Sequence, residues 1–145
     1  MFNFLSDTKA LVTLRNDLEK IFSKETAYPS SRENPTPSAG HCAVVACMIH
    51  RLYPVFDIVS TVVTPIDDPS RQCSHWLNAL RMDDLSWFVD LTGDQFGYPK
   101  IQIFSGDIND YRIRSEDHID EDTQKRLELF CQRYQALDGS ISFCV

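Results

Sequence analysis

Cys42 stands where two unlike stretches meet. Residues 34–40 are rich in Pro, Ser and Gly, and residues 43–49 form an unbroken apolar run. A breaker cluster followed by such a run reads as a loop feeding a buried helix, with Cys42 in its first turn. Backbone N–H groups left free there, and the positive end of the helix dipole, favour a thiolate over a thiol, the more so beside an imidazole. A thiolate in that place is a nucleophile. A lone cysteine is more often a small core residue, so the chemistry depends on whether a His and a carboxylate can reach it.

His75 and Asp90 supply that pair. Residues 74–80 and 85–90 are strand-like runs separated by Arg81, Met82, Asp83 and Asp84, and they read as a β-hairpin. With a tight connection, Leu80 faces Leu85, Leu77 faces Phe88 and His75 faces Asp90, close enough for an imidazole–carboxylate hydrogen bond. A slip of one residue would turn the two to opposite faces. The Met82-Asp83 turn lacks the Gly or Asn that tight hairpins prefer. An Asp bonded to one ring nitrogen orients the imidazole and leaves the other nitrogen for a thiol, which makes Cys42, His75 and Asp90 a predicted triad.

The remaining elements must bring these residues together. A first helix is predicted from a cap at Ser6 or Asp7 to about Lys24, with Leu11, Leu14, Leu18, Ile21 and Phe22 on one stripe. Pro29, Pro35 and Pro37 make residues 25–40 a loop able to line a cleft. The helix carrying Cys42 runs through Met48, Ile49 and Leu52 and stops near Tyr53-Pro54. A β-branched strand follows over 57–64, and further strands are predicted over 101–104 and 110–114. The last helix spans from near Asp120 to before Gly139, with Leu127, Phe130, Cys131, Tyr134 and Leu137 on one face. Trp76 and Trp87 fall on the face opposite His75 and Asp90 and are expected in the core beneath a helix. The acidic run 115–122 reads as a solvated loop and helix start.

A chain of 145 residues is one domain by size, residues 1–145. A net charge of −7 opposes binding to nucleic acid or to an anionic membrane. No apolar run approaches a membrane span, and the N-terminus lacks the basic start and apolar stretch of a signal peptide, so a cytoplasmic location is expected. The five cysteines, Cys42, Cys47, Cys73, Cys131 and Cys144, are odd in number and irregularly spaced, which favours reduced thiols. Cys42, Cys47, His50, Cys73 and His75 could ligate a metal, but their spacing matches no usual zinc pattern. Cys42 and Cys47 are too far apart for a thioredoxin-like motif. No metal or cofactor is implied, because thiolate attack on an amide needs none.

The same residues carry a family resemblance. Gly40-His41-Cys42-Ala43-Val44-Val45-Ala46, then His75-Trp76-Leu77-Asn78, then Val89-Asp90-Leu91-Thr92 with Asp94-Gln95-Phe96, resemble the pattern of YunG-like bacterial proteins. More distantly they resemble the transglutaminase-like branch of papain-fold cysteine enzymes, in which a Cys opens a helix, a His begins a strand and an Asp lies on the next strand. Thr26 and the stretch Arg133-Tyr134-Gln135-Ala136-Leu137 extend the likeness over most of the chain. The resemblance implies an α+β fold with a papain-like or transglutaminase-like core: a Cys-bearing central helix on an antiparallel sheet, with N- and C-terminal helices. It implies an amide hydrolase or acyltransferase acting on a peptide, a protein side-chain amide or a small amide. His41, Asn78 and Gln95 are then the expected oxyanion or substrate-binding residues. His41 stands where such proteins usually have Gln, and an imidazole can donate to an oxyanion only in one tautomer. The alternative is a catalytically inactive papain-like fold that serves as a protein-binding module.

Overall fold

The apolar run after Cys42 forms the helix that the rest of the chain packs around. In a computed structural model describing residues 8–138, three helices, α1 (Thr8–Ile21), α2 (Cys42–Leu52) and α3 (Glu121–Asp138), accompany five strands. The strands are β1 (Asp57–Val63), β2 (Cys73–Leu80), β3 (Ser86–Asp90), β4 (Gln102–Gly106) and β5 (Arg112–Arg114). They form one sheet in the order β4-β3-β2-β1-β5, and every adjacent pair is antiparallel. The fold is α+β.

Val44, Val45, Ala46, Cys47, Met48 and Ile49 of α2 are all buried. They pack with Leu11, Leu14 and Leu18 of α1, Leu127, Phe130 and Tyr134 of α3, and Ile58 and Val89 of the sheet. Each large side chain fully buried there contributes about 1.5–3 kcal/mol, so α2 is held from both sides. The other face of the sheet carries a smaller cluster of Val59, Leu77, Ala79 and Phe88, partly covered by Phe104, Ile108 and Tyr111.

Several predicted boundaries shift. Helix α1 ends at Ile21 rather than near Lys24, because Ser23 and Thr26 turn their hydroxyls to each other and the chain enters a turn. Its expected cap at Ser6 or Asp7 lies outside the described residues, as does Cys144. The hairpin pairs Ala79 with Phe88 and Leu80 with Trp87, two residues away from the predicted register. The physical reason is the turn: without Gly or Asn at its centre, the chain spans residues 81–85 in a longer loop. A shift of two preserves which residues share a face.

Two burial expectations also change. Leu137 is 44% exposed, so the apolar stripe of α3 stops at Tyr134. Trp87, near the hairpin turn, is 37% exposed, and Trp76 is only partly buried, with the Arg114 guanidinium 5.5 Å from its ring. The acidic run is more ordered than a solvated loop. Glu116 receives Arg51 through two hydrogen bonds of 2.8 and 2.6 Å, and Asp120 caps the start of α3 by accepting from Thr123 N.

Candidate active site

Helix α2 begins at Cys42, and its N-cap residue His41 makes no side-chain capping bond. No side chain of the cap therefore competes for the N–H groups of the first turn, and their partial positive charge is available to Cys42. The helix is aligned on the sheet by Asn78, whose Nδ2 donates to Ala46 O at 2.9 Å and to Asp57 O at 3.3 Å. Moving back along both elements from that anchor brings His75 and Cys42 to the same end of the sheet.

His75 is 1% exposed. Its Nε2 lies 2.8 Å from Asp90 Oδ2, while Asp90 Oδ1 accepts from Thr92 N at 3.0 Å. The ring of Phe96 stands edge-on to the imidazole, with centroids 5.0 Å apart. Asp90 does not engage the other ring nitrogen, Nδ1, which is buried and among the described residues has no nitrogen or oxygen partner, so that Cys42 is the group left to it. Burial weighs most on the imidazole and opposes its charge, but the Asp90 hydrogen bond and the nearby Cys42 side chain outweigh it and raise the His75 pKa to about 10. The ring is therefore an imidazolium at neutral pH, anchored at one nitrogen, with its other nitrogen left to Cys42.

A single turn of 3-10 helix, Gly93–Phe96, ties this pair to the loop before α2. Asp94 accepts from Arg15 Nη2 at 3.0 Å and from Ser38 Oγ at 2.5 Å. Gln95 Oε1 accepts from Gly40 N at 3.2 Å, and its Nε2 donates to Thr92 O at 2.9 Å. A Cβ at Gly93 would lie 2.8 Å from Gln102 Oε1 and 3.0 Å from Asp90 Oδ2, so a larger residue would have to displace the Gln102 side chain and crowd the Asp90 carboxylate. Gly40, with φ +79°, makes the bend into α2, and a Cβ there would come within 2.7 Å of Tyr28 N.

Cys42 is partly exposed and lines a cleft of about 580 Å³ together with Trp76, Gln95, Phe96, Cys73 and Arg71. That volume falls within the range of small-molecule sites. His75 and Asp90 border a second hollow of about 240 Å³ with Leu77, Phe104 and Tyr111, and Phe96 belongs to both walls. The Cys47 and Cys131 thiols are pushed up to about 12, chiefly by burial, and are inert by comparison. Among the described residues, no three His, Cys, Asp or Glu side chains are grouped to hold a metal ion.

Of the expected oxyanion and substrate-binding residues, the structure places only Gln95 on the Cys42 cleft. His41 turns away. It is 1% exposed and packs between Phe22 and Phe130, with Nδ1 at 3.1 Å from Ala39 O and Nε2 at 2.8 Å from Thr26 Oγ1. A carbonyl can only accept, so Nδ1 carries the proton and Nε2 accepts from Thr26; neither nitrogen is free for an oxyanion. Burial lowers the His41 pKa to about 4, which keeps the ring neutral. Asn78 is likewise a fastening between α2 and the sheet. Arg15, Ser38 and Phe96 were not anticipated. The signal for Arg15 was a charged residue within the apolar stripe of α1, where it is 1% exposed.

No helix among the described residues is long and apolar enough to cross a membrane. No curated protein matches the chain, and neither does any solved structure. The family described as YunG protein matches residues 10–139, a span that contains Cys42, His75, Asp90 and the turn that clamps them, and the chain belongs to that family.

Proposed function

We propose that the protein is a cysteine-dependent amide hydrolase or acyltransferase with a transglutaminase-like or papain-like core, in which Cys42, His75 and Asp90 act as a triad. The observation that carries this reading is the buried His75: fixed by Asp90 at Nε2, without a nitrogen or oxygen partner at Nδ1, and next to a cysteine that opens a helix onto a cleft. The Cys42 thiolate attacks the carbonyl carbon of the substrate, and the displaced electron pair goes to the oxygen. The Cys42 backbone N–H and the second N–H of Gln95 Nε2, the first being bonded to Thr92 O, are the donors available to that oxyanion. His75 gives its Nδ1 proton to the leaving nitrogen as the C–N bond breaks, leaving a thioester on Cys42. Water or an amine then attacks the thioester carbon and gives a proton to Nδ1, and collapse of the tetrahedral intermediate breaks the C–S bond, releasing the acyl product and returning Cys42 as a thiolate beside the imidazolium. Asp90 keeps its hydrogen bond to Nε2 throughout and holds the ring in place.

The position of His41 bears on the inactive-module alternative. That reading drew strength from an imidazole in the oxyanion position, and His41 lies off the cleft. The test is acylation by p-nitrophenyl acetate. The expected result is a stoichiometric release of nitrophenolate with the acetyl group mapped to Cys42, slowed about 100-fold or more in His75→Ala. An acetyl group found on Cys73, or equal rates in Cys42→Ala, would overturn the assignment.

A further inference from the structure

The cleft in front of Cys42 has two guanidinium groups on its lining, Arg71 and Arg126, and they differ in what they already hold. Arg126 has all its nitrogens engaged: Nε with Asp122, Nη1 with Thr26 O and Nη2 with Thr123 Oγ1. Arg71 does not. It is exposed, its backbone N–H closes a turn on Asp68 O, and its Nη2 lies 3.6 Å from Cys73 Sγ. That contact with the first residue of β2 folds the guanidinium back along the cleft wall.

The nearest carboxylate in sequence does not pair with it. Asp68 Oδ1 accepts from both Ser70 N and Ser70 Oγ, at 3.3 and 2.6 Å. No ion pair of Arg71 exists among the described residues. Asp67, on the same loop, also faces the cleft, and Asp120 is engaged as the cap of α3. His118 is a second donor on the lining: its Nδ1 accepts from Ser115 N, so its proton is at Nε2.

From this arrangement we infer that the cleft selects acyl donors that carry a carboxylate near the reacting carbonyl, and that Arg71 is the residue that reads it. The inference rests on Cys42 being the nucleophile. Arg71 suits the role because a planar guanidinium takes a carboxylate through two parallel hydrogen bonds, and a partly enclosed cleft screens that pair less than open solvent does. Bound there, the carboxylate fixes the distance from the anionic group to the carbonyl carbon and so orients the acyl group toward Cys42.

Two thiol reagents of similar size and opposite character test this: neutral iodoacetamide and anionic iodoacetate, with the site of alkylation mapped by peptide mass so that Cys42 and Cys73 are counted separately. The iodoacetate-to-iodoacetamide rate ratio at Cys42 is expected to fall about threefold to fivefold in Arg71→Gln, to fall less in Arg71→Lys, which keeps the charge and loses the two parallel hydrogen bonds, and to lose most of its Arg71 dependence in about 1 M salt. An unchanged ratio in Arg71→Gln, with iodoacetamide still reacting rapidly at Cys42, would overturn the role of Arg71 and leave the nucleophile standing. Slow reaction of wild-type Cys42 with iodoacetamide would overturn both. Protection of Cys42 from iodoacetamide by glutarate and by a glutamyl tripeptide then identifies the source of the carboxylate. Protection by both indicates a small dicarboxylic acyl donor, protection by the tripeptide alone indicates an acidic peptide, and protection by neither overturns the inference.

Discussion

The carboxylate of Asp90 is held at both oxygens, by His75 Nε2 at 2.8 Å and by the backbone N–H of Thr92 at 3.0 Å. It therefore has one orientation, and the imidazole inherits it. The raised His75 pKa makes the pair a source of stability with a defined pH window. A histidine whose folded pKa is raised, here from 6.5 to about 10, stabilises fully below pH 6.5 and loses that contribution as pH rises through about 10. Wild-type stability should decline between pH 7 and 10 by more than that of Asp90→Asn, measured by denaturant unfolding at each pH. In the variant His75 should titrate lower by NMR, and alkylation of Cys42 should slow by roughly 10- to 1,000-fold, less than the ~10⁴ loss in serine-type triads because a thiol is the stronger acid. If neither quantity moves, Asp90 does not orient the imidazole.

His41 gives the opposite pH signature. Its folded pKa is lowered to about 4, so the unfolded chain takes up the proton first and stability is lost as pH falls from 6.5 towards 4. Replacing His41→Gln should flatten that acid slope and cost about 1–3 kcal/mol at pH 7, because Ala39 O and Thr26 Oγ1 lose a buried partner. Cys42 alkylation should stay near wild type, since His41 is off the cleft. A variant of full stability but altered alkylation would return His41 to an oxyanion role.

The Gly93–Phe96 turn separates positioning from folding. Ser38→Ala removes one hydrogen bond between the loop before α2 and Asp94, and should cost about 1 kcal/mol. Arg15→Met leaves the Asp94 carboxylate without its cation and should cost about 3 kcal/mol. Both should slow Cys42 alkylation, severalfold for Ser38→Ala, while the His75 titration in Ser38→Ala stays where it is because Asp90 is untouched. Unchanged alkylation in both variants would make the turn a purely structural brace.

Cys42 at a helix start was legible because a breaker cluster and an apolar run meet there. The His75–Asp90 partnership was legible for a weaker reason. Side-chain direction in strands repeats every two residues, so a register wrong by two still left both residues on one face, as diagonal neighbours within reach of an imidazole. His41 was misplaced because position next to Cys42 in sequence says nothing about side-chain direction. At the first turn of α2, Cys42 faces the cleft while the preceding residue points into the core between Phe22 and Phe130. Arg15 and Asp94 are 79 residues apart, and no local pattern in sequence couples positions so distant.

The bond from Tyr28 N to Gly40 O, 3.0 Å long, closes the neck of a loop whose interior residues Ser30, Ser31 and Asn34 line the cleft. Cys42 lies just outside that neck. Insertions, deletions or exchanges within the loop can therefore reshape what the cleft admits while the neck holds the start of α2 in place. This makes the loop an evolvable specificity cassette. Swapping it between family members should change which reagents reach Cys42 while leaving the start of α2 in place, provided Gly40 and its fit against Tyr28 are retained.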